Sequence, residues 1–361
     1  MGYLRRPSYY RQFRCIGSDC TDNCCIGWEI DIDPETLASY QRTSGAFGQR
    51  LRDSVALSPP DSEENPHFIL DSAERCPFLN DKNLCDIFIH LGESHLCQIC
   101  TDHPRFYTWL SDGREEGIGL CCEAAARLIL QPTGFPQWEV IQTASEPEDM
   151  SEEPDPLEQN LLAMRDELFH LIKPDIAVPL DSKFNQLYCA ASDMQERYDA
   201  ILFPFPEDNT EAGSALPDWS ACFWQEDFLR KLLDGCLQLE INDPGWRDLL
   251  TAVRQSLPEI CQRRPDFLQY YASRQYEYDQ LLLYFIYRHM MKALEDDCLL
   301  EKIQFALYSV SLIQLLDIFC WLRDGTLTTW QQICLCKLYS KEMEYDTDNT
   351  AFLEQYPIMA E

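Results

Sequence analysis

Cys15-Ile-Gly-Ser-Asp-Cys20-Thr-Asp-Asn-Cys24-Cys25 places four cysteines within eleven residues near the start of the chain. Thiolates four and five residues apart converge on one centre when the backbone between them turns. Gly17, Asp19, Asp22 and Asn23 supply turn-forming residues in the gaps. Further along come Cys76, Cys85, the pair Cys97-Gln-Ile-Cys100, and Cys121-Cys122. The CxxC spacing of Cys97 and Cys100 recurs in zinc and iron–sulfur sites. Ten of the chain's 18 cysteines thus fall in its first 122 residues. The best reading of this concentration is a metal centre, with zinc and iron–sulfur both open.

Redox setting decides between metal and disulfide. The chain opens Met-Gly-Tyr-Leu-Arg-Arg-Pro-Ser-Tyr-Tyr, with no apolar run of the kind a secretory leader carries. Arg6 stands where an N-myristoylation signal needs Ser or Thr. The longest apolar run read from the sequence, Leu281 to Tyr287, is about a third of the roughly 20 residues a bilayer span needs. The expectation is a cytoplasmic protein, where thiols stay reduced and clustered cysteines bind metal or do chemistry. The eight later cysteines are scattered among apolar residues, and most are expected to be small buried hydrophobes.

A formal charge of −32 argues against nucleic acid, which needs a basic surface, and against anionic membrane. It suits a basic substrate such as a lysine-bearing protein. Phosphate and dinucleotide loops of the GxxxxGK[ST] and GxGxxG types do not occur. Residues 1–142 read as a cysteine-rich metal domain and residues 157–361 as a helical domain. Between them, 143–156 reads as a linker: Glu146–Pro156 has six acidic residues, three prolines and no Lys or Arg. Apolar residues at three- and four-residue intervals predict helices over 157–172, 223–239, 278–294 and 303–322. The fold class expected is therefore mainly α.

The motifs resemble those of the flagellin lysine N-methylases. Phe13-Arg-Cys15 through Cys24-Cys25-Ile-Gly-Trp28, then Ile30-Asp-Ile-Asp33 and Thr36, is similar to the opening of that family. The likeness continues through Cys76-Pro-Phe-Leu79, Leu84-Cys85-Asp-Ile87, Leu91-Gly-Glu93, Leu96-Cys97, Cys100 and His103-Pro-Arg105, and ends at Leu120-Cys121-Cys122-Glu and Arg127-Leu128. It covers roughly the first third of the chain. Its motifs are shared in looser form with small bacterial proteins described as zinc- or iron-chelating. The family pattern falls on Cys122 and leaves Cys121 over.

The resemblance implies transfer of methyl from S-adenosylmethionine to lysine side chains of flagellin, by an enzyme carrying a cysteine-ligated [4Fe-4S] cluster. It places the candidate ligands at Cys15, Cys20, Cys24, Cys25, Cys76, Cys85, Cys97, Cys100 and Cys122. His103 beside the CxxC pair is a further candidate. Trp28 is the expected aromatic contact for the sulfonium, with Glu29 beside it. Arg105, with Arg127, falls on a family position able to hold the donor's carboxylate. The competing class is a non-catalytic zinc- or iron-chelating or metal-delivery protein.

Overall fold

The computed structural model describes residues 2–57, 65–131, 138–143, 154–172, 178–204 and 216–358. Most of the expected acidic linker, residues 144–153, lies outside them. The first part of the chain forms β1 (Gly2–Pro7), α1 (Pro34–Arg42), α2 (Gly45–Asp53), β2 (Val55–Ala56), β3 (His67–Phe68), α3 (Asp86–Leu91), α4 (Gln98–Asp102), β4 (Arg105–Leu110), β5 (Gly113–Ile118), α5 (Glu123–Ile129) and β6 (Trp138–Thr143). Helices follow: α6 (Pro156–Leu171), α7 (Leu180–Leu202), α8 (Trp219–Phe223), α9 (Glu226–Cys236), α10 (Pro244–Gln255), α11 (Leu257–Tyr271), α12 (Tyr276–His289), α13 (Ala293–Asp296), α14 (Leu299–Asp324), α15 (Thr329–Tyr339) and α16 (Thr347–Gln355). A π-helical turn, Ser340–Glu344, joins α15 to the last helix. The protein is mainly α, with 64% of the described residues in helical turns of all kinds.

Helix starts follow local chemistry. Asp155 and Asp243 cap α6 and α10, each with Pro in the first turn, where its missing N–H costs nothing. Thr328 and Gln331 form a reciprocal capping box on α15. Asp33 caps α1 by accepting from the Thr36 amide at 2.9 Å, and its other oxygen accepts from the Gln98 amide at 2.9 Å. One carboxylate thereby fixes α1 against the turn that carries Cys97 and Cys100.

The larger sheet has the order β4-β5-β1-β6, with β1 parallel to β5 and the other pairs antiparallel. It is pinned to the helices by Tyr287, whose hydroxyl donates to the carbonyls of Arg5 and Glu116. Arg165 on α6 pairs with Glu115 on β5 at 2.7 Å, both groups buried. Leu110, Leu120, Ala126 and Ile129 join the same core as the helices, so the sheet and α5 pack into the helical body. A separate small core lies ahead of them, around Ile32, Tyr40, Phe68 and Phe78.

Helix α14 corrects two sequence expectations. It is buried almost all round, Lys302, Gln314 and Asp317 included, so the longest apolar segment is here and not at Leu281–Tyr287. By length and composition it could cross a bilayer, yet 83% of its most apolar window is buried within the bundle. The later cysteines are also less uniform than expected. Cys236, Cys320 and Cys336 are buried, Cys189 is exposed, and the other four are half-buried.

Candidate functional site

The backbone folds the cysteine segment back on itself. The Cys76 amide donates to the Cys25 carbonyl at 2.9 Å, and Ile26 bridges to Arg75. Gly27, at φ 75°, permits the next bond, from its amide to the Glu74 carbonyl. Leu79 bridges to Cys85, which sets that residue beside Cys76. The result is that Cys25, Cys76, Cys85, Cys97 and Cys100 share the small core. All 18 thiols are free.

The thiols are not alike. Cys24 and Cys97 are held below the ordinary thiol value, chiefly by hydrogen bonds from Cys25 and Cys100, whose own thiols are pushed up in consequence. Tyr40 Oη lies 3.5 Å from Cys97 Sγ. Burial raises Cys76 to about 11, and raises Cys85 as well. A metal entering this core must therefore displace protons from buried thiols. Among the described residues no three His, Cys, Asp or Glu side chains are placed to hold a single metal ion as they stand.

The remaining four expected ligands lie outside this core. Cys122 precedes α5 and packs beside Phe13 and Ile118, its thiol raised by burial to about 11. Cys20 donates to the Asp22 carbonyl at 3.1 Å, Cys24 is exposed, and so is Cys15. The Thr21 amide and hydroxyl both donate to Glu123, at 3.0 and 2.9 Å, which ties this loop to the start of α5.

The same loop docks on the C-terminal helices. Asp22 meets Lys337 of α15 at 2.9 Å and Lys341 of the π-turn at 3.4 Å. Lys341 also sits 5.5 Å from the centre of the Trp28 ring, a cation–π distance. Trp28 stands edge-on to Tyr345 at 5.6 Å and lies 6.4 Å from His103. The His103 Nε2 atom is buried without a hydrogen-bond partner. Burial, with the charges of Lys341 and Arg288, lowers this imidazole to about 4 and keeps it neutral. Arg105 stacks on Phe13 at 5.3 Å and donates to the Thr101 carbonyl, while Arg127 pairs with Glu123 at 2.9 Å.

Behind Tyr345 is a buried polar hub that sequence reading missed. Glu344 accepts from Tyr284 at 2.8 Å, from His289 at 2.9 Å and from Ser340, and pairs with Arg288 at 3.3 Å. Burial alone would raise its carboxyl. Arg288 and these hydrogen bonds outweigh that and hold it down to about 2. His289 is pushed by burial down to about 4, so a neutral imidazole donates to the carboxylate. Arg288 lies 4.4 Å from the Tyr345 ring and 4.8 Å from the Phe106 ring. The only sequence signal for the hub was the polar run Ser-Lys-Glu-Met-Glu, which looks like an ordinary surface turn. A π-turn at such a place is a frequent companion of function.

A family model described as the FliB lysine N-methylase C-terminal domain matches residues 183–360. The flagellar biosynthetic protein FliU of Salmonella muenchen is 29% identical over 132 residues, 36% of this chain and 78% of that protein. Proteins named lysine-N-methylase from Salmonella typhimurium and Salmonella choleraesuis are 28% and 29% identical over 132 residues. Those matches cover 36% of this chain and 33% of theirs, so the shared segment is a third of each relative's length. No solved structure gives a significant match. The docking elements α15 and the π-turn both fall inside residues 183–360, the segment that matches the FliB lysine N-methylase family.

Proposed function

We propose that the chain transfers methyl groups from S-adenosylmethionine to lysine side chains of flagellin, with an iron–sulfur cluster held in its cysteine segment. The family match over 183–360 carries this reading. The flagellar name of the FliU relative supports the choice of substrate. Methyl transfer to nitrogen is an in-line displacement, so the lysine, with an ordinary pKa of about 10.4, must arrive neutral and aimed at the methyl. Trp28 is the proposed aromatic contact for the sulfonium, and Lys341 already occupies a cation's position over its ring.

Five thiols in one core are a soft donor set that suits iron–sulfur or zinc. Cys76, Cys85, Cys97 and Cys100 are the proposed ligands, with Cys25 as the fifth candidate. Bound there, the cluster would cross-link the small core, and its binding energy would also be folding energy. A cytoplasmic setting is part of the proposal, since it keeps these thiols reduced.

The test is anaerobic purification with iron and sulfide analysis, followed by incubation with S-adenosylmethionine and cognate flagellin. Iron and labile sulfide should be roughly equal, and flagellin lysines should gain mass in steps of about 14 Da. Stoichiometric zinc in colourless protein would overturn the cluster. An intact cluster without methylation would favour a metal-chelating or metal-delivery protein.

A further inference from the structure

Next to Glu344 and Tyr345 lies a polar cavity of about 190 Å³ that opens to solvent. Its floor is fixed: Lys302, Glu344, Thr350 and Glu354 line it and are each at least nine-tenths buried. Most of the charges here are already matched. Lys302 pairs with Glu354 at 2.7 Å and with Asp296, and Glu344 is held by Arg288 and His289. Two lining groups, Lys292 and Glu295, make no ion pair within 4 Å among the described residues. Partial burial of the ammonium and the charge of Arg288 hold Lys292 below its ordinary value, against the opposite pull of Glu354, Glu344 and Glu295. Thr347, which also lines the space, is the first residue of α16, where backbone amides have no partner within the helix.

A bare ammonium ligand would meet Lys292 as a like charge, and a bare anion would meet Glu295. A group carrying both charges meets neither objection. The space, about 190 Å³ and open to solvent, has room for an amino-acid end. We propose that this cavity binds an α-amino-acid zwitterion, the amino-acid end of S-adenosylmethionine, with Lys292 taking the carboxylate and Glu295 the ammonium. The proposal rests on the methyl-donor reading above. Tyr345, which lines the cavity, also meets the Trp28 ring.

Calorimetric titration of the full chain with S-adenosylhomocysteine, methionine and adenosine tests it. Lys292 and Glu295 are exposed, so Lys292→Ala and Glu295→Gln should leave folding intact, which thermal unfolding checks. Each should weaken S-adenosylhomocysteine at least tenfold, Lys292→Arg should weaken it less, and adenosine should bind as before. Unchanged S-adenosylhomocysteine affinity in both variants overturns the cavity assignment and leaves the methyl-donor reading standing. Variant-sensitive binding of methionine, with no binding of S-adenosylhomocysteine, supports the zwitterion site and removes the methyl donor. Binding of none of the three by the unmodified protein overturns both.

Discussion

Asp22, midway between Cys20 and Cys24, places its carboxylate 2.9 Å from the ammonium of Lys337, a side chain only 5% exposed. A cysteine loop and a helix of the family-matched segment are thus joined by a charge pair with one buried partner. Removing the carboxylate strands that cation. Asp22→Ala should cost about 1–3 kcal/mol, between the values for exposed and buried pairs, because Asp22 itself is 40% exposed. Lys341→Ala should cost less, since Lys341 is the more distant partner. Urea unfolding measures both, and equal costs would contradict the assignment. Burial raises the Asp22 carboxyl, but Lys337 and Lys341 more than offset this and lower it, so the pair's contribution is present above the ordinary value of 3.8 and lost as pH falls through the lowered one.

The Glu344 hub predicts a wider acid response with two parts. His289 is lowered from 6.5 to about 4, so the unfolded chain binds the extra proton first and stability falls as pH drops through that window. Glu344 is lowered from 4.5 to about 2, so its contribution is complete above 4.5 and lost between 4.5 and 2. His103 is lowered to about 4 and titrates in the first window too. Melting temperature against pH should therefore flatten between pH 6.5 and 4 in a His103→Gln, His289→Gln double variant. A profile unchanged from that of the parent would show that neither imidazole is held neutral.

Gly119 marks how closely the cysteine segment and the hub approach. A Cβ there would lie 2.1 Å from Tyr345 Oη, 3.1 Å from Arg288 Nη1 and 3.2 Å from the Pro104 carbonyl. Neither the backbone oxygen nor the buried guanidinium yields easily, so Gly119→Ala should destabilise by about 1–3 kcal/mol through overpacking. It should also alter the near-ultraviolet circular dichroism, because Tyr345 packs on Trp28. Stability equal to that of the parent protein would mean that this seam relaxes freely.

The parts legible in the sequence were those with a local pattern. The spacing over 157–172 gave α6, and the 303–322 pattern fell within α14. The sheet was not legible. In β1 the expected alternation is replaced by Arg5 and Arg6, whose charges are matched by Asp112 in the β4–β5 turn and by Glu116 and Glu139 on other strands. Cysteine spacing pointed to the small core but did not separate Cys25 from Cys24, which are neighbours in sequence with different surroundings. The partners of Asp22 and the Glu344 hub were invisible for another reason: single charges far apart in sequence carry no periodicity, and only the tertiary fold pairs them.

The division among the cysteines gives the last prediction. Cys76, Cys85, Cys97 and Cys100 share one core with Cys25, whereas Cys236 is buried in the helical body and Cys298 precedes α14. Cys85→Ala or Cys100→Ala should abolish iron binding and destabilise the small core, because metal-binding energy there is folding energy. Cys236→Ala should keep full iron content and lose only packing, on the order of 1 kcal/mol for a small buried side chain. Cys298→Ala should change neither. The variant that discriminates most is Cys25→Ala. If four thiolates suffice, it keeps the iron, and the Cys24–Cys25 pair serves to position the Asp22 loop. If it loses the iron as Cys100→Ala does, Cys25 is a ligand, and the cluster bonds directly to the loop that docks on α15. Iron analysis of these five variants, purified side by side without oxygen, separates the two arrangements. Equal iron loss in the Cys236 and Cys100 variants would mean that the small core is not the metal site.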